Sequence, residues 1–246
     1  MEEHTILDRL CQFGITRQEA NIYLCLYQHG ELTGYEVAKH TGISRSNVYS
    51  GLAGLVDKGA AYLAEGNTSK YVAVSIAEFC ENKIRSLNRE KEYLVQNIPT
   101  MKEQEVGYIT IEGYRNIWDK IVHMINSAEK RIYLSASFRM IQMLEQELEE
   151  VTERGIKLVL LTDGLPDSQK LVKGSICYLC ENRENNVRLI IDSAYALTGA
   201  LNGDKSDTCL YTGQDNFIQV FKDALRNEMK LITLMQEKEK KQTLQS

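Results

Sequence analysis

Four short runs of helical spacing open the chain. In residues 5–13, Ile6, Leu7, Leu10 and Phe13 share one face, and Gly14 follows. In residues 16–28 the apolar stripe is Ala20, Tyr23, Leu24 and Tyr27. Thr16 precedes Glu19 by three positions, the capping-box spacing in which hydroxyl and carboxylate each take up a free backbone N–H. Thr33 and Glu36 repeat that spacing before a run that reaches about His40. After the break Thr41-Gly42-Ile43-Ser44, the residues Val48, Leu52, Leu55 and Val56 form one face of a fourth helix, with Ser44 placed to cap it. The period then changes. Residues 61–64 and 70–74 read as extended, joined by the polar tip Glu65-Gly66-Asn67-Thr68-Ser69.

Two short helices joined by a glycine-containing turn and followed by a hairpin form a winged helix-turn-helix pattern, expected over residues 1–75. The polar face of the fourth helix carries Ser44, Arg45, Ser46, Asn47, Tyr49 and Ser50 in and around its first two turns. The major groove admits one helix and is read by that end, so these are the expected contacts to double-stranded DNA. Asn67, Thr68, Ser69 and Lys70 on the wing are placed to touch phosphates.

Residues 76–104 read as a helical linker. Ala77, Cys80, Ile84, Leu87, Leu94, Ile98 and Met101 follow alternating three–four spacing, with Lys91 in the remaining slot, and Pro99 ends or kinks the run. The spacing fits a two-stranded seam that pairs two copies, since a lone winged helix reads few bases; the alternative is a helix packed on its own domain. Residues 102–105 look like a connector.

Residues 105–246 alternate strand and helix signals. Strands are expected at 106–111, 131–135, 156–162 and 187–192, a hairpin at 195–201 and 208–211 about Asn202-Gly203-Asp204, helices at 114–127, 139–153 and 217–235, a loop at 163–173 and a fraying tail at 236–246. The succession indicates α/β layering with part of the sheet parallel. Strand-end polar residues Ser135, Ser137, Thr162, Asp163, Asp192 and Ser193 are the expected contacts to a small-molecule effector.

Composition bounds these readings. Hydrophobic residues at 43% and charged residues at 26% fit a soluble globular protein. No apolar run approaches the roughly 20 residues of a membrane span, and the acidic start lacks the features of a signal peptide, so a cytoplasmic protein without a membrane partner is expected. The formal charge is −5, and residues 1–75 hold six Lys/Arg against eight Asp/Glu. That balance argues against high intrinsic DNA affinity and for two copies binding together. The six cysteines are mostly scattered, which suggests reduced thiols. Cys177 and Cys180 form a C-x-x-C pair, a motif of dithiol or metal chemistry, but no second pair completes a zinc site, and on a helix the two thiols would simply share a buried face. Neither a cofactor nor a metal is expected.

Residues 6–75 resemble the N-terminal domain of the TrmB family of archaeal and bacterial transcription regulators. The resemblance lies in Phe13-Gly14-Ile15-Thr16, Glu19-Ala20, Tyr23-Leu24, the stretch from Ser44 to Tyr49, Leu55-Val56-Asp57-Lys58-Gly59 and Tyr71-Val72-Ala73-Val74. It implies sequence-specific binding of double-stranded DNA by a homodimer. The second half resembles the phospholipase-D-like domain that follows in many such regulators, through Gly113, Arg131–Ser135, Glu153-Arg154-Gly155-Ile156-Lys157-Leu158 and residues 188–192. The resemblance implies a two-domain fold of mixed α+β and α/β class: winged helix-turn-helix, helical dimerisation linker and α/β phospholipase-D-like domain. Catalytic members carry His-x-Lys-x-x-x-x-Asp. Set on Asp192, that pattern meets Asn185 at the His position and Val187 at the Lys position, and no His follows His123. Without a nucleophile no covalent phospho-intermediate forms. The expectation is therefore a non-catalytic effector domain rather than a phosphodiesterase. A winged helix that binds protein instead of DNA is the other alternative, distinguished by salt dependence. Sugar-binding relatives carry an additional C-terminal region, which a chain of 246 residues is not expected to contain, and this leaves a sugar effector in doubt.

Overall fold

The computed structural model describes residues 2–64, 66, 68–99, 107–180 and 183–243. The chain divides into two compact units, Met1–Thr100 and Met101–Ser246.

In the first unit, α1 (Glu2–Gln12), α2 (Arg17–His29), α3 (Gly34–Thr41) and α4 (Arg45–Asp57) surround one core, with β1 (Leu32–Thr33), β2 (Ala61–Ala64) and β3 (Lys70–Ala73) forming a small antiparallel sheet in the order β1-β3-β2. Both capping boxes form. Thr16 accepts from the Glu19 N–H and Thr33 from the Glu36 N–H, and each carboxylate returns to the cap backbone. The buried face of α2 is Glu19, Ala20, Ile22, Tyr23, Cys25 and Leu26. The narrower stripe expected from sequence is corrected here: Tyr27 is 54% exposed and Leu24 only partly buried. Helix α2 touches α1, α3, α4 and β3, so it needs a wider apolar face than a surface helix. Ile6, expected inward, is likewise exposed. The strand β1 was not foreseen; two residues carry no readable period.

Close approach between α2 and α4 is set by glycines. A Cβ on Gly51 would stand 2.5 Å from Ile22 Cδ1, and one on Gly54 would collide with the Glu19 carboxylate. That carboxylate is buried, with Oε2 accepting from the Thr16 N–H at 2.6 Å and from Lys58 Nζ at 2.6 Å. Burial by itself raises the Glu19 pKa, but the Lys58 ammonium and the Thr16 donors outweigh it and hold the carboxyl below its ordinary value.

Helix α5 (Ile76–Asn97) starts at Ser75, whose Oγ accepts from the Glu78 N–H at 3.3 Å. It ends where Ile98 turns extended ahead of Pro99, as the residue before proline must.

The second unit is a seven-stranded sheet between two helical layers. Its strands are β4 (Tyr108–Glu112), β5 (Arg131–Ser135), β6 (Lys157–Thr162), β7 (Ser175–Leu179), β8 (Asn186–Ile191), β9 (Tyr195–Ala200) and β10 (Thr208–Thr212), in the order β4-β10-β9-β8-β5-β6-β7. Only β5-β6-β7 are parallel; β8 pairs antiparallel with β5, and every pairing beyond it is antiparallel. One face packs on α6 (Tyr114–Ser127), α7 (Phe138–Met143), α8 (Glu145–Glu153) and α9 (Gln169–Gly174), through Ile117, Ile121, Ile141, Leu148 and Leu171 against Ile132, Leu134, Leu158 and Leu160. The alternate residues Val159, Leu161 and Ile190 face α10 (Asp215–Thr243) through Ile218 and Leu225.

Four expectations change here. The helix at 139–153 is two helices, broken at Leu144, whose fully buried side chain and non-helical backbone let both segments turn their apolar faces to the sheet. The loop at 163–173 contains the start of α9. Residues 175–179 form β7, an edge strand. The tail does not fray at 236: α10 runs to Thr243 through Glu, Lys and Gln, all good helix formers.

Replacing Glu19 with Gln removes the charge that Lys58 pairs with and weakens the capping box, and should cost about 1–2 kcal/mol at neutral pH. The folded-state pKa of Glu19 is depressed below 4.5, so its contribution is present above that value and is lost as pH falls through the lower folded value. Urea denaturation at neutral pH and in the acid range should therefore show the parent and Glu19→Gln converging on acidification. A constant gap would sink this account.

Candidate functional site

The turn between α3 and α4 is made by Gly42, whose φ of 70° and ψ of 6° are left-handed, and whose N–H donates to the Ala38 carbonyl at 3.0 Å. Emerging from it, α4 buries Val48, Gly51, Leu52 and Leu55. Ser44, Arg45, Ser46, Asn47, Tyr49 and Ser50 are all exposed on the other side. Ser44 holds the N-cap position but does not cap: no backbone N–H reaches its hydroxyl, which lies 3.4 Å from Ser46 Oγ instead. The first N–H groups of α4 thus receive no capping bond from Ser44.

Two aromatic rings frame this surface. The Arg45 guanidinium sits 4.5 Å from the centroid of Tyr35, a cation–π contact. Tyr49 packs over Gly34, where a Cβ would stand 2.6 Å from its ring. Tyr35 was absent from the sequence-based set. Its only signal was its place outside the apolar pattern of α3, directly after the glycine that admits Tyr49. On the wing, Thr68 and Ser69 are exposed, and Lys70 Nζ lies 4.0 Å from Glu31 Oε1 in a solvent-facing pair of small energetic weight. Asn67 lies outside the described residues.

Along α5, Phe79 is the only buried side chain among the described residues. Ala77 is exposed and Cys80 partly buried, while Ile84, Leu87, Leu94 and Ile98 are 49% to 61% exposed. The helix therefore does not spend this apolar row on its own unit. Cys80 also lines an apolar groove of about 290 Å³ with Ile6, Tyr27 and Ile76. Met101, the last seam position, lies outside the described residues.

The six expected effector contacts do not meet. Because β8 runs antiparallel to β5, with Ser135 opposite Arg188 and Ile132 opposite Ile191, Asp192 and Ser193 lie at the other rim from Ser135, Ser137, Thr162 and Asp163. Strand direction reverses the end at which a residue emerges, and a strand's sequence does not carry that direction. At the first rim, Ser135 and Thr162 are buried, and Thr162 Oγ1 has no partner among the described residues. Asp163 is held by the N–H groups of Phe138 at 2.6 Å and Arg183 at 3.1 Å. Burial would raise its pKa, and those backbone donors reverse the shift to below the ordinary value. Ser137 lines a cleft of about 140 Å³ with Tyr114, Trp118, Arg139, Asn185 and Asn202. At the second rim, Asp192 and Ser193 are both left-handed, with φ of 50° and 59°, in a tight turn closed by the Ala194 N–H on the Ile191 carbonyl. The Asp192 carboxylate accepts from the N–H groups of Glu129, Lys130 and Arg131 at 2.9, 2.7 and 2.8 Å. Its burial is again outweighed by these donors, so its pKa is lowered. Both residues build the turn.

Two family models cover most of this architecture. The one described as "Sugar-specific transcriptional regulator TrmB" matches residues 10–77, and the one described as "Transcriptional regulator TrmB, EBD N-terminal subdomain" matches residues 107–227. The chain belongs to the TrmB family. It is 31% identical over 166 residues to the uncharacterized protein YrhO of Bacillus subtilis strain 168, covering 66% of this chain and 60% of that protein. It is 28% identical over 155 residues to the HTH-type sugar sensing transcriptional regulator TrmBL1 of Pyrococcus furiosus, covering 61% of this chain and 46% of that protein. The chain thus spans about half to three-fifths of the length of these curated relatives. Among solved structures it is similar to TrmBL2, an archaeal chromatin protein, at 21% identity and a TM-score of 0.46 over 94% of this chain and 99% of that one.

The C-x-x-C pair lies outside the winged helix of this TrmB-family chain, and the strand geometry separates its thiols. Cys177 lies on β7 and Cys180 one residue past its end, where its N–H still bonds the Thr162 carbonyl at 3.0 Å, and residues three apart on an extended chain point to opposite faces. Cys177 packs toward the α6–α9 layer, with Sγ 3.2 Å from Ser175 Oγ. Cys180 donates to the Thr162 carbonyl at 3.3 Å and accepts from Arg183 Nε at 2.8 Å, and Arg183 in turn pairs with Glu228 of α10. Burial raises the Cys180 pKa, and Arg183 offsets this only in part, so the thiol stays protonated. The shared helical face is thereby corrected. Peptide mapping after mild oxidation should find no Cys177–Cys180 linkage; recovery of that disulfide would contradict the strand assignment.

Proposed function

We propose that this chain is a transcriptional regulator that binds double-stranded DNA sequence-specifically as a homodimer, and that its second unit binds a small-molecule effector without hydrolysing it. The observation that carries this reading is α4: one face fully buried, the other presenting Arg45, Ser46, Asn47, Tyr49 and Ser50 at its open N-terminal end. A helix so divided fits the major groove, with Arg45 placed for a guanine edge and the polar neighbours for bases or phosphates. Thr68, Ser69 and Lys70 on the wing, with Asn67, would position the protein on the backbone. Tyr35 holds Arg45 by its cation–π contact and limits the rotamers that must be ordered on binding.

The exposed row Ile84, Leu87, Leu94 and Ile98 supports pairing through α5, since a seam of this spacing is stable only when another copy covers it. Pairing also answers the acidic balance of the first unit, because two readers on one operator add their modest affinities. For the second unit, Asn185 borders the cleft at the position where phospholipase-D chemistry would place its nucleophile, and Val187 is fully buried in the core where a phosphate-binding Lys would be required. That supports binding over catalysis. Among the described residues no helix is long and apolar enough to cross a membrane. We place the protein in the cytoplasm with the DNA it reads.

Titration of an operator selected from random duplexes tests the reading. Arg45→Ala should cost about 1–3 kcal/mol and relax preference at one base pair, whereas Lys70→Ala should weaken all sequences alike and reduce the salt slope by about one. Affinity must fall steeply as salt rises. Salt-independent binding, or an unchanged Arg45→Ala variant, would overturn the assignment. Pairing is tested separately: Leu87→Glu should leave helix content intact by circular dichroism, shift sedimentation to the single chain and weaken operator binding. A Leu87→Glu variant that sediments like the parent would remove α5 as the interface.

A further inference from the structure

At the rim that carries Asp192, the second unit holds a cavity of about 470 Å³, in the range of ordinary ligand pockets. The DNA-reading surface does not use it. Lys120 enters from α6, partly buried, with Nζ 3.9 Å from the centroid of the Tyr211 ring. Burial lowers its pKa, and no carboxylate pairs with it among the described residues. An ammonium in that position meets the ring face and the Cys209 thiol, whose pKa is pushed up to about 11 by burial and which therefore stays neutral, and a ring face compensates lost hydration only in part. His123, three residues further along α6, and Lys130, ahead of β5, line the same space.

Two carboxylates also border it, and neither answers Lys120. Asp192 is engaged by three backbone N–H groups and by the nearby Lys130 charge, and Glu129 is exposed. Tyr195 supplies a flat wall: its ring is stacked on Tyr211 with centroids 5.8 Å apart and planes 14° apart, and it remains 37% exposed. The cavity thus combines a desolvated cation without a counter-charge, two further donors and an aromatic face.

We propose that this cavity is a binding site for a small ring-bearing molecule with a carboxylate or phosphate group. The oxyanion sits against Lys120, with His123 and Lys130 as additional donors, and the ring of the ligand lies on Tyr195. The site goes beyond the DNA-binding reading and uses no residue of the first unit.

Isothermal titration of the full chain with benzoate and with phenyl phosphate tests it, with phenol as the uncharged control and inorganic phosphate as the ringless one. At least one of the two ring-bearing anions should bind, more tightly than inorganic phosphate, while phenol should not; the tighter of the two identifies carboxylate or phosphate as the natural group. Lys120→Met should weaken that binding at least about tenfold, as expected for loss of a charged donor. His123→Gln combined with Lys130→Gln alters only exposed side chains, keeps the fold, and should weaken binding severalfold. Absence of binding by both anions at millimolar concentration would overturn the proposal. So would equal binding of phenol, or unchanged affinity in Lys120→Met and in the double variant.

Discussion

Glu19 is acidic and almost wholly buried, yet it lies where the two helices that matter most to the first unit come together. Its carboxylate closes the capping box that starts α2 and meets Lys58 at the end of α4. Gly54 leaves room for it, and Gly51 lets Ile22 press into the same crossing. One charged group therefore fixes where α2 begins and ties it to the end of α4, at the close approach that the two glycines allow. The exposed face of α4 can hold a set of polar side chains at fixed angles only because the buried face has no freedom to turn. A buried carboxylate bonded to both a cap and an ammonium restricts geometry more than an apolar contact of equal area, since its bonds are directional.

The second unit depends on a different constraint, the reversal of strand direction at β8. Three parallel strands followed by antiparallel ones give the sheet two unlike rims. One collects the C-terminal ends of β5 and β6 and a small cleft; the other collects the turn after β8, the start of β5 and the half-buried Lys120. Asp192 joins that second rim together by taking three N–H groups from the segment entering β5. Its role is to hold two chain segments in register, which frees nearby side chains to face the cavity.

What could be read from sequence was what is local. Thr16 with Glu19 and Thr33 with Glu36 declared two helix starts, because a capping box needs only four consecutive residues. Val48, Leu52 and Leu55 declared the buried face of α4 by spacing alone. The misreadings came from distance. Tyr27 looked inward because its spacing fits a stripe, but the helices packed on α2 select Ile22, Cys25 and Leu26. Ser44 has the right residue type for a cap, and its hydroxyl turned to Ser46. Ser135 and Asp192 both stand at strand ends, and nothing in either strand reveals that the ends are opposite. Tyr35 is not legible as a site residue because its partner, Arg45, lies across the turn. The short elements β1, α9 and β7 are defined by their neighbours rather than by any period of their own.

The row of leucine and isoleucine left bare along α5 has a consequence at the level of the cell. If the form that reads DNA is the pair, the number of pairs at low abundance grows as the square of the number of chains, so halving expression removes about three quarters of the working regulator. Under the proposed function, the response would then be set by how much protein is made as well as by what it binds, and would rise with abundance more steeply than that of a reader working as a single chain.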